Sequence, residues 1–75
     1  MDLTDRHPST VAVARHFAFD HLPEHLAKVS RHFHDLAAKL LTELPDSTEL
    51  TVVLRKLLEA KDSAVRAAVE HHTCA

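Results

Sequence analysis

Lys61 stands where a helix of this chain asks for an apolar residue. It lies in the stretch "LLEAKDSAVRAA", residues 57 to 68, seven residues after Leu54 and so on nearly the same helical face, with Asp62 beside it. Three chemistries suit a cation there. Its stem can pack while the ammonium reaches water at an edge. It can pair with a carboxylate of a neighbouring subunit, because a buried charge left alone costs about 3–5 kcal/mol. Or its partner is an anionic ligand. Ala60, Ser63, Ala64, Ala67 and Ala68 nearby are small enough to admit another helix or a flat ligand. An ionised Asp62 only accepts hydrogen bonds, which suits a base edge or a ribose. Asp62 and Arg66 are also i,i+4 neighbours, for which a surface ion pair is the plain expectation.

Histidine is the next chemical resource, with eight copies: His7, His16, His21, His25, His32, His34, His71 and His72. His21 and His25 are four residues apart, and His32 lies seven further on the same helical side, with Lys28 and Asp35. Such a pair can ligate zinc, but His32 is too far along the axis to complete a tetrahedron within one chain. Nothing matches CxxC or HExxH. No metal is expected, and the stripe reads as a solvated, mildly cationic face. His34 falls with Ser30, Ala37 and Leu41 at the flank of an apolar seam. There it can donate to a phosphate when charged or to a base when neutral, or serve as an ordinary interface histidine. His71 and His72 sit near a helix end, where cations favour the dipole.

The aromatic residues are Phe17, Phe19 and Phe33. Phe33 belongs to the seam. In "FAF" one phenylalanine can pack while the other faces outward, and an outward ring beside cations can stack a nucleobase for about 1–3 kcal/mol. The plainer alternative is that both clamp a short helix as core. No Ser/His/Asp or Cys/His arrangement and no Gly-rich phosphate loop is present. His32 and Asp35 form only the i,i+3 pair that any helix can offer. The chain reads as a non-enzyme without a cofactor.

The elements that must position these residues are helices. There is no glycine and there are only three prolines, and the turn glycines and alternation that strands need are missing. The class is all-α. A short helix is expected over residues 9–19, capped by Ser9 or Thr10. Pro23 suits the first turn of a second helix, 23–44. Its seam is Leu22, Leu26, Val29, Phe33, Leu36 and Leu40, at heptad spacings of 4, 3, 4, 3 and 4, widened by Ala37, Leu41 and Leu44. Asp46 with Glu49 resembles a capping box for a third helix, 47–70. Its seam is Leu50, Leu54, Leu57, Lys61, Ala64 and Ala68, thickened by Val53, Leu58, Val65 and Val69.

A short loop between two long helices predicts an antiparallel hairpin. Its stripes are wider than a two-helix contact covers, and Val52 adds an apolar residue off the seam, so self-association is expected. Seventy-five residues make one domain, 1–75. A formal charge of −2 offers no global attraction for DNA, RNA or a membrane surface. The single cysteine, Cys74, suits a reducing compartment. No signal peptide or membrane span is evident, so a cytoplasmic setting is expected.

The stretch "FAFDHLPEHLAKVSRHFHDLAAKLLTELPDSTELTVVLRKLLEAKDSAVRAAV", residues 17 to 69, resembles the anti-CBASS and anti-Thoeris sponges of phages, the Acb/Tad hairpin-domain family. The likeness is to its actinobacteriophage subgroup. "DHLPEHL", "FHDLA", "LPD" and "LRKLLEAKD" carry it. The resemblance implies a short helix before a long helical hairpin, assembled as a homohexamer in the infected bacterial cell. It implies a non-catalytic protein that sequesters cyclic nucleotide second messengers: cyclic di- or trinucleotides, or cyclic ADP-ribose isomers. It places Phe19 where a family aromatic stacks a base. His34 stands where a family lysine binds phosphate, which ties that contact to protonation. Lys61 and Asp62 stand where a basic residue precedes threonine, so aspartate brings a negative charge beside a phosphate. Phe19, His34, Lys61, Asp62 and Arg66 are the candidate ligand-binding residues. The alternative is a structural helical oligomer without a small-molecule ligand.

Overall fold

A computed structural model describes residues 3–74, with side chains described as far as His71. Every regular element among them is helical. Helix α1 spans Pro8–Ala14 and passes into a 3-10 turn, Arg15–Phe17. Helix α2 spans Glu24–Glu43, and α3 spans Thr48–Cys74. The long helices α2 and α3 pack on each other, and α1 and the 3-10 turn lie against them.

The breaks fall where proline puts them, but the caps differ from expectation. Pro8 opens α1 at its first position, where its missing N–H costs nothing. His7, rather than Ser9 or Thr10, is the cap: its Nδ1 accepts the Ser9 backbone N–H at 3.1 Å and lies 2.8 Å from Ser9 Oγ. The helical path ends at Phe17, two residues before the expected 19, because Ala18 turns extended at ψ 141°. Pro23 stands just outside α2, and its carbonyl accepts from Leu26 and Ala27. Leu44 is extended, as a residue before proline must be, and stops α2. Helix α3 is capped by Ser47, whose Oγ accepts the Leu50 N–H at 3.0 Å. It continues past residue 70 because nothing in "VEHHTC" breaks a helix. The side chains of His72 and Cys74 lie outside the described residues.

Asp46 is not the capping residue expected because other donors hold it. It accepts from Arg6 Nη1 at 3.0 Å, from the His7 backbone N–H at 2.9 Å and from Thr10 Oγ1 at 3.4 Å. Arg6 also donates to the carbonyls of Leu41 and Leu44 at the C-terminus of α2. A turn through Asp5, at φ 65°, brings Arg6 there, and aspartate tolerates that left-handed conformation better than most residues. The N-terminal segment is thereby tied to the α2–α3 connection. The His7 N–H, then Arg6, hold the Asp46 carboxyl below its usual value of 3.8.

The core is Val13, Ala14, Phe17, Ala37, Leu41, Leu50 and Leu54, with Leu3, Phe33, Leu57 and Leu58 packed against it. On α2 this is not the expected seam. Leu36 is 45% exposed, whereas Ser30, Ala37 and Leu41 are buried. The buried line is the one that His34 shares, which sequence spacing assigned to the flank. The reason is that α2 packs on the 3-10 turn as well as on α3. Its centre of contact rotates toward both, and the small Ser30 and Ala37 admit their neighbours closely. On α3, Leu50 and Leu54 are buried, but the seam is only half-buried from Leu57 onward. Val53 and Val69, expected to thicken it, are exposed.

Candidate functional site

A cleft of about 400 Å³ opens between the segment after α1 and the middle of α3. Arg15, His16 and His21 come from the N-terminal side, and Lys61, Asp62 and Arg66 from α3. Ala18, Leu22 and Val65 supply its apolar lining. Two features position these groups. Phe17 is fully buried and anchors the 3-10 turn, so Arg15 and His16 are held over α3 while the chain turns outward at Ala18. On α3, residues three and four apart lie one turn along the same side, which sets Val65 and Arg66 one turn beyond Lys61 and Asp62.

The cation at Lys61 has a partner in its own chain. Its Nζ lies 3.0 Å from Asp62 Oδ1, with the lysine side chain 14% exposed and the aspartate side chain 49% exposed. The stem packs and the ammonium is matched by the next residue. The expected Asp62–Arg66 pair is replaced by this contact, and Arg66 Nη2 instead donates to Ser63 Oγ at 3.2 Å. Arg15, Lys61 and Arg66 therefore face one carboxylate, Asp62, with two imidazoles at hand. The cleft is a local excess of positive charge in a chain whose formal charge is −2.

Phe19 and His34 form a separate cluster. Their ring centroids are 5.1 Å apart at 74°, an edge-to-face contact. His34 Nδ1 lies 3.3 Å from Asp35 Oδ1. Both rings are half-buried, so Phe19 is neither the outward ring nor a core residue. The backbone joins this cluster to the cleft, since the Leu22 N–H donates to the Phe19 carbonyl at 3.1 Å and Leu22 lines the cleft. The five candidate residues thus fall into two groups: Lys61, Asp62 and Arg66 at the cleft, Phe19 and His34 beside it.

Sequence alone assigns no function to Arg15 and His16 and places His21 in the stripe with His25 and His32. The turn through Ala18 draws His21 to the cleft instead. The run "RHFAFDH" held the signal as clustered basic residues, but only the 3-10 turn shows which way they face.

A slightly larger cleft, about 440 Å³, lies at the other end of α3. Three of its polar groups are engaged: Asp46 by Arg6, Ser47 by Leu50, and Ser9 by His7. Arg55 is its one arginine. Among the described residues, no group of three or more metal-ligating side chains is placed to hold an ion. No helix among them is long and apolar enough to cross a membrane. Compared with family models, curated proteins and solved structures, the chain matches none.

Proposed function

We propose that this protein is a non-catalytic binding module that captures a cyclic nucleotide signal and holds it intact, as the phage sponges it resembles do. The observation that carries this reading is the cleft in which Arg15, Lys61 and Arg66 outnumber Asp62. Its volume of about 400 Å³ falls within the range of small-molecule sites, about 300–1,000 Å³. An excess of cations over an apolar lining is the chemistry that a phosphate joined to a base requires. The Phe19–His34 rings beside it offer an aromatic surface to a second base.

In this reading the α2–α3 pair is the hairpin of a homo-oligomer, a hexamer by resemblance, acting in the cytoplasm of an infected bacterium. The exposed Leu36, Val53 and Val69 are apolar groups that such an assembly would cover. A second reading has its own observation. Asp62 already neutralises Lys61, as a purely structural helical oligomer without a ligand would require.

A thermal-shift panel separates the two readings. Purified protein is melted with cyclic dinucleotides, cyclic trinucleotides and cyclic ADP-ribose isomers, and the bound material is then released by denaturation and chromatographed. A ligand at a hundred times its dissociation constant adds about 2.7 kcal/mol of stability. A shift with one class and recovery of that ligand intact is the expected result. No shift with any class would leave the structural reading, and a linear product would make the protein an enzyme.

A further inference from the structure

We infer that the cleft selects guanine: Lys61 and Asp62 address the base edge, and Arg15 with Arg66 takes the phosphate. This rests on reading the cleft as a nucleotide site, and it gives Lys61 a different task from the phosphate contact that resemblance implies.

The Lys61 ammonium and the Asp62 carboxylate lie 3.0 Å apart and both line the cleft. An ammonium carries three donors, and one is spent on Asp62, so two remain. A carboxylate has about four acceptor positions, and Lys61 fills one. The pair therefore presents a donor and an acceptor side by side. Guanine presents the complement: its O6 accepts, and beside it N1–H and N2–H donate in parallel. Adenine offers a single amino group next to a ring-nitrogen acceptor on that edge, so it cannot give a carboxylate two parallel donors. A site built on such hydrogen bonds rejects a ligand that leaves its polar groups unpaired.

The phosphate belongs on the other cations. Asp62 is half-exposed at the cleft and offsets the charge of Lys61, which makes that corner poor for an anion. Arg15 is exposed, and no carboxylate among the described residues pairs with it. Among the described residues, Arg66 donates to the neutral hydroxyl of Ser63. A guanidinium can meet two phosphate oxygens at once. His16 and His21 face the same space from the N-terminal side. On this assignment Arg15 and Arg66 form an anion end and Lys61 with Asp62 a base-reading end, all within one chain.

The test is calorimetric titration of the full chain with GMP and with AMP at fixed low salt, using wild type, Asp62→Asn and Arg15→Ala. Far-UV melts confirm that each variant is folded. Wild type should bind GMP about tenfold more tightly than AMP, within the 1–3 kcal/mol that a matched base contact provides. Asp62→Asn should bring the two nucleotides within about twofold, GMP losing its advantage over AMP, and Arg15→Ala should weaken both in equal proportion. Equal affinities in wild type, or an Asp62→Asn loss shared by both nucleotides, would overturn the inference. Cyclic nucleotides retained without regard to base would overturn it and leave the sponge reading standing. A GMP preference with no cyclic nucleotide retained would do the reverse, and no binding of any nucleotide would overturn both.

Discussion

Two cation–carboxylate contacts of the same length lie along α3, one just before it and one at its middle, and they differ in almost every other respect. Just before its N-terminus, Arg6 meets Asp46 at 3.0 Å across 40 residues of sequence. At its middle, Lys61 meets Asp62 at 3.0 Å with no sequence between them. Asp46 also accepts from the His7 N–H and from Thr10, and Arg6 is spent on two carbonyls of α2. With three bonds accepted by Asp46 and three donated by Arg6, that contact ties three segments together. The contact at Asp62 ties nothing distant and keeps unused donors and acceptors beside a cleft. Distance alone does not separate a clasp from a site. What the bonds already made tie together does.

The packing beneath the two contacts differs in the same way, and the largest expected effect tests this. Leu54 is fully buried in the clasp half of α3, and Leu54→Ala should lower unfolding free energy by about 2–5 kcal/mol. Val69, exposed in the other half, should lose no more than about 0.5 kcal/mol on the same truncation. Urea midpoints of the two variants check the contrast. Equal losses would mean that the far half is buried in solution, as assembly through that face would bring about.

The next effect breaks the clasp itself. Asp46→Asn keeps the shape and removes the charge, so the variant should melt below wild type at neutral pH. The sign of its pH dependence follows from the direction of the shift. The Asp46 carboxyl is depressed below 3.8 in the folded chain, first by the His7 N–H and then by Arg6. Its contribution is present above the unfolded value and is lost as pH falls through the lower folded value. The gap between wild type and Asp46→Asn should therefore be constant from about pH 7 to about pH 5 and shrink below about pH 4. Urea titrations across that range measure it, and a gap that persists in acid would remove Asp46 from the role assigned here.

The breaks between helices were legible because Pro23 and Pro45 act locally, through a fixed φ and a constrained preceding residue. What escaped depends on contacts between distant segments. Heptad spacing ranked Leu36 above Ser30 and Ala37 by size and could not know that the 3-10 turn adds a second neighbour to α2. Asp46 has the pattern of a capping residue, and only the fold shows that Arg6, His7 and Thr10 reach it first. Lys61 and Asp62 were legible as an oddity, but adjacent helical residues do not face each other, so their pairing through the long lysine stem was not foreseen. Arg15, His16 and His21 were invisible as a group because a turn, not a helical period, gathers them.

Ser30 sharpens the lesson about unused bonding capacity from the opposite side. Its Oγ is buried and has no hydrogen-bond partner among the described residues. A buried hydroxyl without a partner bears a desolvation penalty. Ser30→Ala should therefore be neutral or stabilising by up to about 1 kcal/mol, measured from the urea midpoint. A clear loss would show that the hydroxyl has a partner in the assembled protein.

A small stability effect is expected where the functional effect is large. Lys61→Met keeps the length and much of the stem's packing, and it removes only the contact to the half-exposed Asp62. A pair open to solvent on one side is worth about 0.2–1 kcal/mol, so the urea midpoint should move little. GMP affinity should fall toward that of AMP, because the donor to the guanine O6 is lost. Melting and titration of the same sample compare the two effects directly. A large stability loss with unchanged binding would give Lys61 the role of the clasp. A binding loss at nearly constant stability would separate the two contacts of equal length by what each one does.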